Sequence, residues 1–291
     1  MTTTPSTTTT VRQRRLARTL RRLREGAGLT IDQVAEKVEL SPSTISRIET
    51  AQVSVRTRDV KELLEVYQVT DVQRAELLEL ARTGRQQHPW WNEYKVLPSV
   101  PLLAGLEADA AFIQQFSALL IPGLLQTKEY AAAVIGAIRH DAAPEELKQR
   151  LELRMHRQQL LSQKDAPDLW VVLDEAALHR TVGGPAVMHR QLQRLIEASK
   201  RPNITIQVLS YSAGPHAGMA GEFTLYSYRD PVDPDVVYLE NTGGDLYLEH
   251  GDKTSRYRLI FRHLQAAALN PAESVRTLAD VQQELAVPER G

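Results

Sequence analysis

Residues 41–50 read SPSTISRIET. Ser41 can cap a helix, and Pro42 falls at the first helical position, where a missing N–H is harmless. Ile45 and Ile48 lie three apart and point inward, which leaves Ser43, Thr44, Ser46 and Arg47 outward. A short helix of this kind is either one more member of a bundle or a helix that reads DNA. Its neighbours bear on the choice.

The preceding stretch, TIDQVAEKVEL (30–40), is a second short helical pattern. Thr30 and Gln33 have capping-box spacing. Ile31, Val34, Ala35 and Val38 form its apolar face. Two helices joined by one tight turn make the helix-turn-helix layout, whose second helix enters a major groove about 12 Å wide. Arg47 suits bidentate pairing with guanine. Ser43 and Thr44 can bond a base or touch a thymine methyl. The positive end of the helix favours a phosphate near Ser41.

Further upstream, VRQRRLARTLRRLREGAG (11–28) holds seven arginines and one acid, Glu25. Leu16, Leu20, Leu23 and Ala27 recur as one apolar stripe, and arginines cover the remaining surface. Solvated helix faces mix charge signs and this one barely does, so Arg15 and Arg18 are read as phosphate-facing. Downstream, TAQVSVRT reads as a loop, and 58–69 and 71–86 read as two more amphipathic helices with Asp59 and Asp71 as caps. Residues 11–86 are therefore expected to form an all-α, five-helix DNA-binding domain. Residues 1–10, MTTTPSTTTT, are expected to be a disordered tail.

The run GLTIDQVAEKVELSPSTISRIET resembles the Cro/C1-type (XRE) helix-turn-helix family. Gly28, Leu29, Thr30, Ala35, Ser41, Ile45, Ser46, Ile48 and Glu49 carry the match. The resemblance implies a phosphate contact at Ser41 and base-facing Ser43 and Arg47, with Glu49 paired to an arginine of the first helix. Two positions depart. Ile31 replaces the family's glutamine, which puts a phosphate contact from that position in doubt. Glu39 replaces its turn glycine, so a strained or reshaped turn is expected.

The chain has 291 residues and no cysteine, which removes disulfides and thiolate metal sites and suits a reducing cytoplasm. No stretch reaches the roughly 18 apolar residues of a membrane span. FSALLIPGLL (116–125) is too short and is broken by Pro122 and Gly123. Charge is uneven. Residues 1–88 carry 15 basic and 11 acidic side chains, whereas 89–291 carry 20 and 25. A basic front and acidic back suggest a nucleic-acid module joined to something else.

After residue 86 the texture changes. Residues 87–100, with Trp90 and Trp91 among prolines, read as a linker. Residues 101–285 read as an α+β domain with a mainly antiparallel sheet flanked by helices, so the chain overall is α+β. Helices are expected over 102–120, from QTKEYAAAVIGAI, and over 144–163, 184–200, 255–269 and 273–285. Strands are expected at 169–174, 203–211, 222–228, 235–241 and 245–250. The segments IPGLLQTKEYA, RMHRQQLL, VVLDEAALHRTVGG and NITIQVLSYSAGPHAG resemble the C-terminal domain of an actinobacterial group of XRE regulators, the WhiJ-like, antitoxin-like kind. That resemblance implies a transcription regulator encoded beside a small companion protein, and no settled chemistry for the domain.

Asp174 and Glu175 follow a strand with His179 one turn on, which suits acid–base work, but a helix-capping role for Asp174 is preferred. Ser210, Ser212 and His216 could form a nucleophile and base, but no G-x-S-x-G supports them. SAGPHAGMAG (212–221) reads as a connector, and Met155, Met188 and Met219 read as core or interface fillers. No catalytic, cofactor-binding or metal-ligating residue is expected. The reading is a dimeric, sequence-specific regulator of double-stranded DNA whose second domain dimerises and binds a companion protein or ligand. The alternatives are an antitoxin-like interaction module and a ligand sensor.

Overall fold

The structure, a computed structural model, describes residues 11–53, 55–86, 100–229, 233–241, 244–249 and 251–285. The expected tail and nearly all of the expected linker, including Trp90 and Trp91, lie outside these residues. The chain divides into two compact units between Asp109 and Ala110.

The first unit is helical: α1 Val11–Gly26, α2 Ile31–Lys37, α3 Pro42–Glu49, α4 Thr57–Val66, α5 Asp71–Gln86 and α6 Val100–Asp109. The first five are those read from the sequence. The predicted apolar stripes meet in one core, where Leu16, Leu20, Val34, Ile45, Ile48 and Leu63 are at most 3 % exposed. Asp59 is not a cap. It lies in the first turn of α4, whose N-cap position is Arg56.

Helix ends in this unit share one device. At α1, Leu29 N donates to Arg24 O (3.1 Å) across Gly28, which holds φ 67°. The same six-residue closure recurs after α2, α3 and α4, as Leu40 N to Ala35 O, Gln52 N to Arg47 O and Val69 N to Leu64 O. There the left-handed residue is Glu39 (φ 54°), Ala51 (φ 55°) and Gln68 (φ 53°), so three of the four closures do without glycine.

The second unit is α+β. Six strands run in the order β3-β2-β1-β4-β5-β6: β1 Phe112–Ser117, β2 Asp168–Asp174, β3 Ile204–Leu209, β4 Phe223–Ser227, β5 Val236–Leu239 and β6 Leu246–Leu248. β1 pairs in parallel with β2, and β2 with β3. The other three pairings are antiparallel. The five strands read from the sequence all form.

The sixth strand, β1, corrects the single helix expected over 102–120. That segment splits into α6 and the central strand of the sheet. Ala-rich LEADAA favours a helix locally, but FIQQFS is flanked on both sides by partner strands. Non-local pairing decides such short, ambiguous apolar runs.

Helices α7 (Lys128–Ile138), α8 (Pro144–Arg157), α9 (Ala176–His179) and α10 (Pro185–Ala198) fill the crossovers between the parallel strands, and α11 (Gly251–Ala267) and α12 (Pro271–Glu284) follow the sheet. One layer of core joins α11 to the sheet through Phe116, Val172, Leu225, Val237, Phe261 and Leu264. The IPGLLQT segment is pinned by a buried amide. Gln191 Nε2 donates to Leu125 O (2.9 Å), and Gln191 Oε1 accepts from Thr127 N (2.6 Å). Val208 N donates to Ser274 Oγ (2.9 Å) and Leu269 N to Val208 O (2.9 Å), so the corner between α11 and α12 covers the β3 edge.

Candidate nucleic-acid interface

The α2–α3 pair forms as its sequence requires. Thr30 and Gln33 close the capping box: Gln33 N donates to Thr30 Oγ1 (3.2 Å) and Thr30 N to Gln33 Oε1 (2.8 Å). Ser41 caps α3 by accepting from Thr44 N (3.1 Å), and Pro42 occupies the first turn. Ile45 and Ile48 are buried at 0 % and 3 % exposure. Ser43 and Arg47 are exposed and Thr44 is half-buried.

The three hydroxyls at the start of α3 form one cluster. Ser41 Oγ lies 2.9 Å from Ser43 Oγ and 2.8 Å from Thr44 Oγ1. These two contacts use two of the three hydroxyl protons, which leaves one for a phosphate at this helix start beside backbone N–H groups. The Arg47 side chain has no hydrogen bond or ion pair among the described residues, so its guanidinium is available.

Beneath the helix pair lies the bond anticipated for Glu49. Arg24 Nε donates to Glu49 Oε1 (2.7 Å) and Arg24 Nη2 to Glu49 Oε2 (2.9 Å), a buried bidentate pair. Arg24 Nη1 also donates to Leu29 O (2.9 Å), tying the end of α1 to the start of α2. The hydrogen bond to Glu49 raises the Arg24 pKa against the cost of burial. Burial first, and the Glu49 charge second, push the nearby Tyr67 hydroxyl up. Its oxygen is buried with no hydrogen-bond partner.

The α1 arginines are distributed less simply. Arg15 Nη2 pairs with Glu76 Oε1 of α5 at 2.8 Å. Arg18 is half-buried and is not without a partner. Arg21 pairs with Glu25 at 2.9 Å, whereas Arg22 is exposed. Arg56, passed over in the sequence as loop, is an exposed cation just after α3, at the N-cap position of α4. Its side chain has no hydrogen bond or ion pair among the described residues. The signal for it was positional: an arginine a few residues beyond a recognition helix.

In the second unit, the residues weighed for catalysis gather at the carboxyl ends of β1, β2 and β3. Asp174 Oδ1 accepts from Ala176 N (2.9 Å), the preferred capping role, and its Oδ2 lies 3.4 Å from His216 Nε2. His216 Nδ1 accepts from Gly218 N (3.3 Å). Both ring nitrogens are engaged, so the histidine has none left for a serine. Ser210 Oγ donates instead to Glu175 Oε2 (2.9 Å), and the Ser–His arrangement does not assemble. Glu175 also accepts from Tyr211 N (2.7 Å) and lies 3.4 Å from His179. Desolvation pushes the Glu175 pKa up, but these bonds outweigh it and the net shift is downward. No group of three or more His, Asp and Glu among the described residues could hold a metal.

An exposed polar face on the second of two short helices, braced by a buried ion pair, defines a helix-turn-helix regulator of the DNA-binding class. Residues 15–77 match the family described as Helix-turn-helix domain. Residues 100–280 match the family described as Domain of unknown function (DUF5753), and this match spans more than half of the chain, so the chain belongs to that family. No similar curated protein and no similar solved structure was found. Among the described residues no helix is long and apolar enough to cross a membrane.

Proposed function

We propose that the protein is a sequence-specific transcriptional regulator that binds double-stranded DNA as a homodimer in the cytoplasm. The observation that carries this reading is the outer face of α3, where Ser43 and Arg47 stand exposed and the Arg47 guanidinium has no partner among the described residues. Ser43, Thr44 and Arg47 face bases, and Ser41, Arg15 and Arg18 face phosphates. Arg15 would then exchange its surface pair with Glu76 for a phosphate. That exchange is cheap, because exposed ion pairs are worth about 0–1 kcal/mol. The second unit supplies the dimer contact and a surface for a companion protein or ligand.

Footprinting of the full chain on its bound DNA tests the reading. Two protected half-sites about 34–36 Å apart are expected, since twofold proteins place two recognition helices one helical turn apart. A single protected half-site contradicts the dimer.

A further inference from the structure

Two connections at the carboxyl ends of the parallel strands, the one that leaves β1 and the one from β3 to β4, carry large apolar side chains into solvent. Leu119 is 55 % exposed, Tyr211 59 % and Met219 71 %. Adjacent strands are about 4.8 Å apart, so loops following β1 and β3 start within about 10 Å of each other. Each loop is tied down by a carboxylate. Glu222 Oε1 accepts from Leu119 N (2.7 Å) and Ala118 N (3.0 Å). Glu175 holds Tyr211 N, and Asp174 holds His216 in the loop that leads to Met219. Gly218 lets that loop lie on Phe116, since a Cβ there would come within 2.5 Å of the ring. The result is an ordered set of exposed apolar side chains beside an exposed carboxylate, Glu222, while Asp174 and Glu175 are mostly covered and already paired with His216 and His179.

The same unit carries its complement. The inner face of α11 is seated on the sheet, and its outer face presents Leu259, 54 % exposed, among Arg256, Arg262 and His263. These three lie within about 60° of Leu259 around the helix. All are exposed, and none of their side chains has a hydrogen bond or ion pair among the described residues.

We propose that the Leu119–Tyr211–Met219 surface receives the outer face of α11 from a second copy of the chain. Leucine enters the apolar surface, and the arginines meet the exposed Glu222. Under twofold symmetry each copy gives its helix and receives its partner's, so the contact forms twice. This rests on the dimer reading above.

Analytical ultracentrifugation of the full chain tests it with Met219→Glu and Leu259→Glu. Both positions are exposed, so folding is little affected. Each variant alone is expected to weaken self-association at least tenfold. An equimolar mixture is expected to regain part of it, because the mixed dimer keeps one intact contact. Val72→Glu, at an 84 % exposed position of the first unit, is expected to leave the dimer unchanged. Dimers that persist in either variant, or a mixture that regains nothing, overturn this interface while leaving the dimer reading intact. A monomeric wild-type chain overturns the dimer reading and this inference with it.

Discussion

Arg47 and Glu49 sit two residues apart on α3 and face opposite environments. Arg47 is exposed, and if it pairs with guanine, its replacement by alanine is expected to cost about 1–3 kcal/mol and relax specificity at one base position. Binding measured against single-base variants of the site checks this, and equal weakening on every sequence contradicts it. Glu49 instead bonds the buried Arg24. Glu49→Ala strips that guanidinium of its bidentate partner, leaving it Leu29 O and Glu25 at 3.6 Å, and is expected to lower stability by up to about 3–5 kcal/mol in urea denaturation. A loss below 1 kcal/mol contradicts the structural role. The sequence marked both residues. It also marked Glu39 as the odd occupant of a turn, and the structure gives it φ 54°. A left-handed residue other than glycine costs about 1–2 kcal/mol, partly offset in a glycine variant by the freer unfolded chain. Glu39→Gly is therefore expected to stabilise by up to about 1 kcal/mol, and a net loss contradicts strain at this turn. The same conformation at Ala51 and Gln68 was not legible, because neither residue type advertises it.

At the scale of elements, caps and apolar periods were readable wherever the information is local. Thr30, Gln33, Ser41 and Pro42 announce α2 and α3 because the groups they satisfy lie within three residues. β1 was not readable, because its partners are 56 and more residues away in sequence, as in Phe112 opposite Asp168 and Ser227. The site followed the same division. The recognition face of α3 is a local pattern, whereas the Arg15–Glu76 pair joins α1 to α5 and depends on how the helices pack. That pair bears on a prediction for α1. If Arg15 and Arg18 face phosphates, alanine at either is expected to weaken binding uniformly over sequences and flatten the salt dependence by about one unit. An unchanged slope places α1 away from the DNA.

For the molecule as a whole, two units have separate cores. Glu175 holds the loop after β3, with a pKa below the usual glutamate range. A carboxylate depressed in the fold contributes stability that is present above its unfolded pKa of about 4.3 and is lost as pH falls through the lower folded value. Glu175→Gln is expected to make the acid limb of the second unit's stability shallower. Identical limbs for variant and wild type contradict a stabilising carboxylate there. The sequence foresaw the α+β plan and the helix-turn-helix of the first unit. It could not foresee that Asp174, Glu175, Ser210 and His216 converge at strand ends to tie down loops, since that convergence needs the parallel pairing of β1, β2 and β3.

The most direct test of the regulator reading is binding of the full chain to the DNA upstream of its own coding sequence, against scrambled DNA of equal length, over a salt series. Tight, sequence-selective binding that weakens as salt rises is predicted, since phosphate contacts release counterions while base contacts select the site. Equal affinity for both DNAs at every salt concentration contradicts a sequence-reading α3.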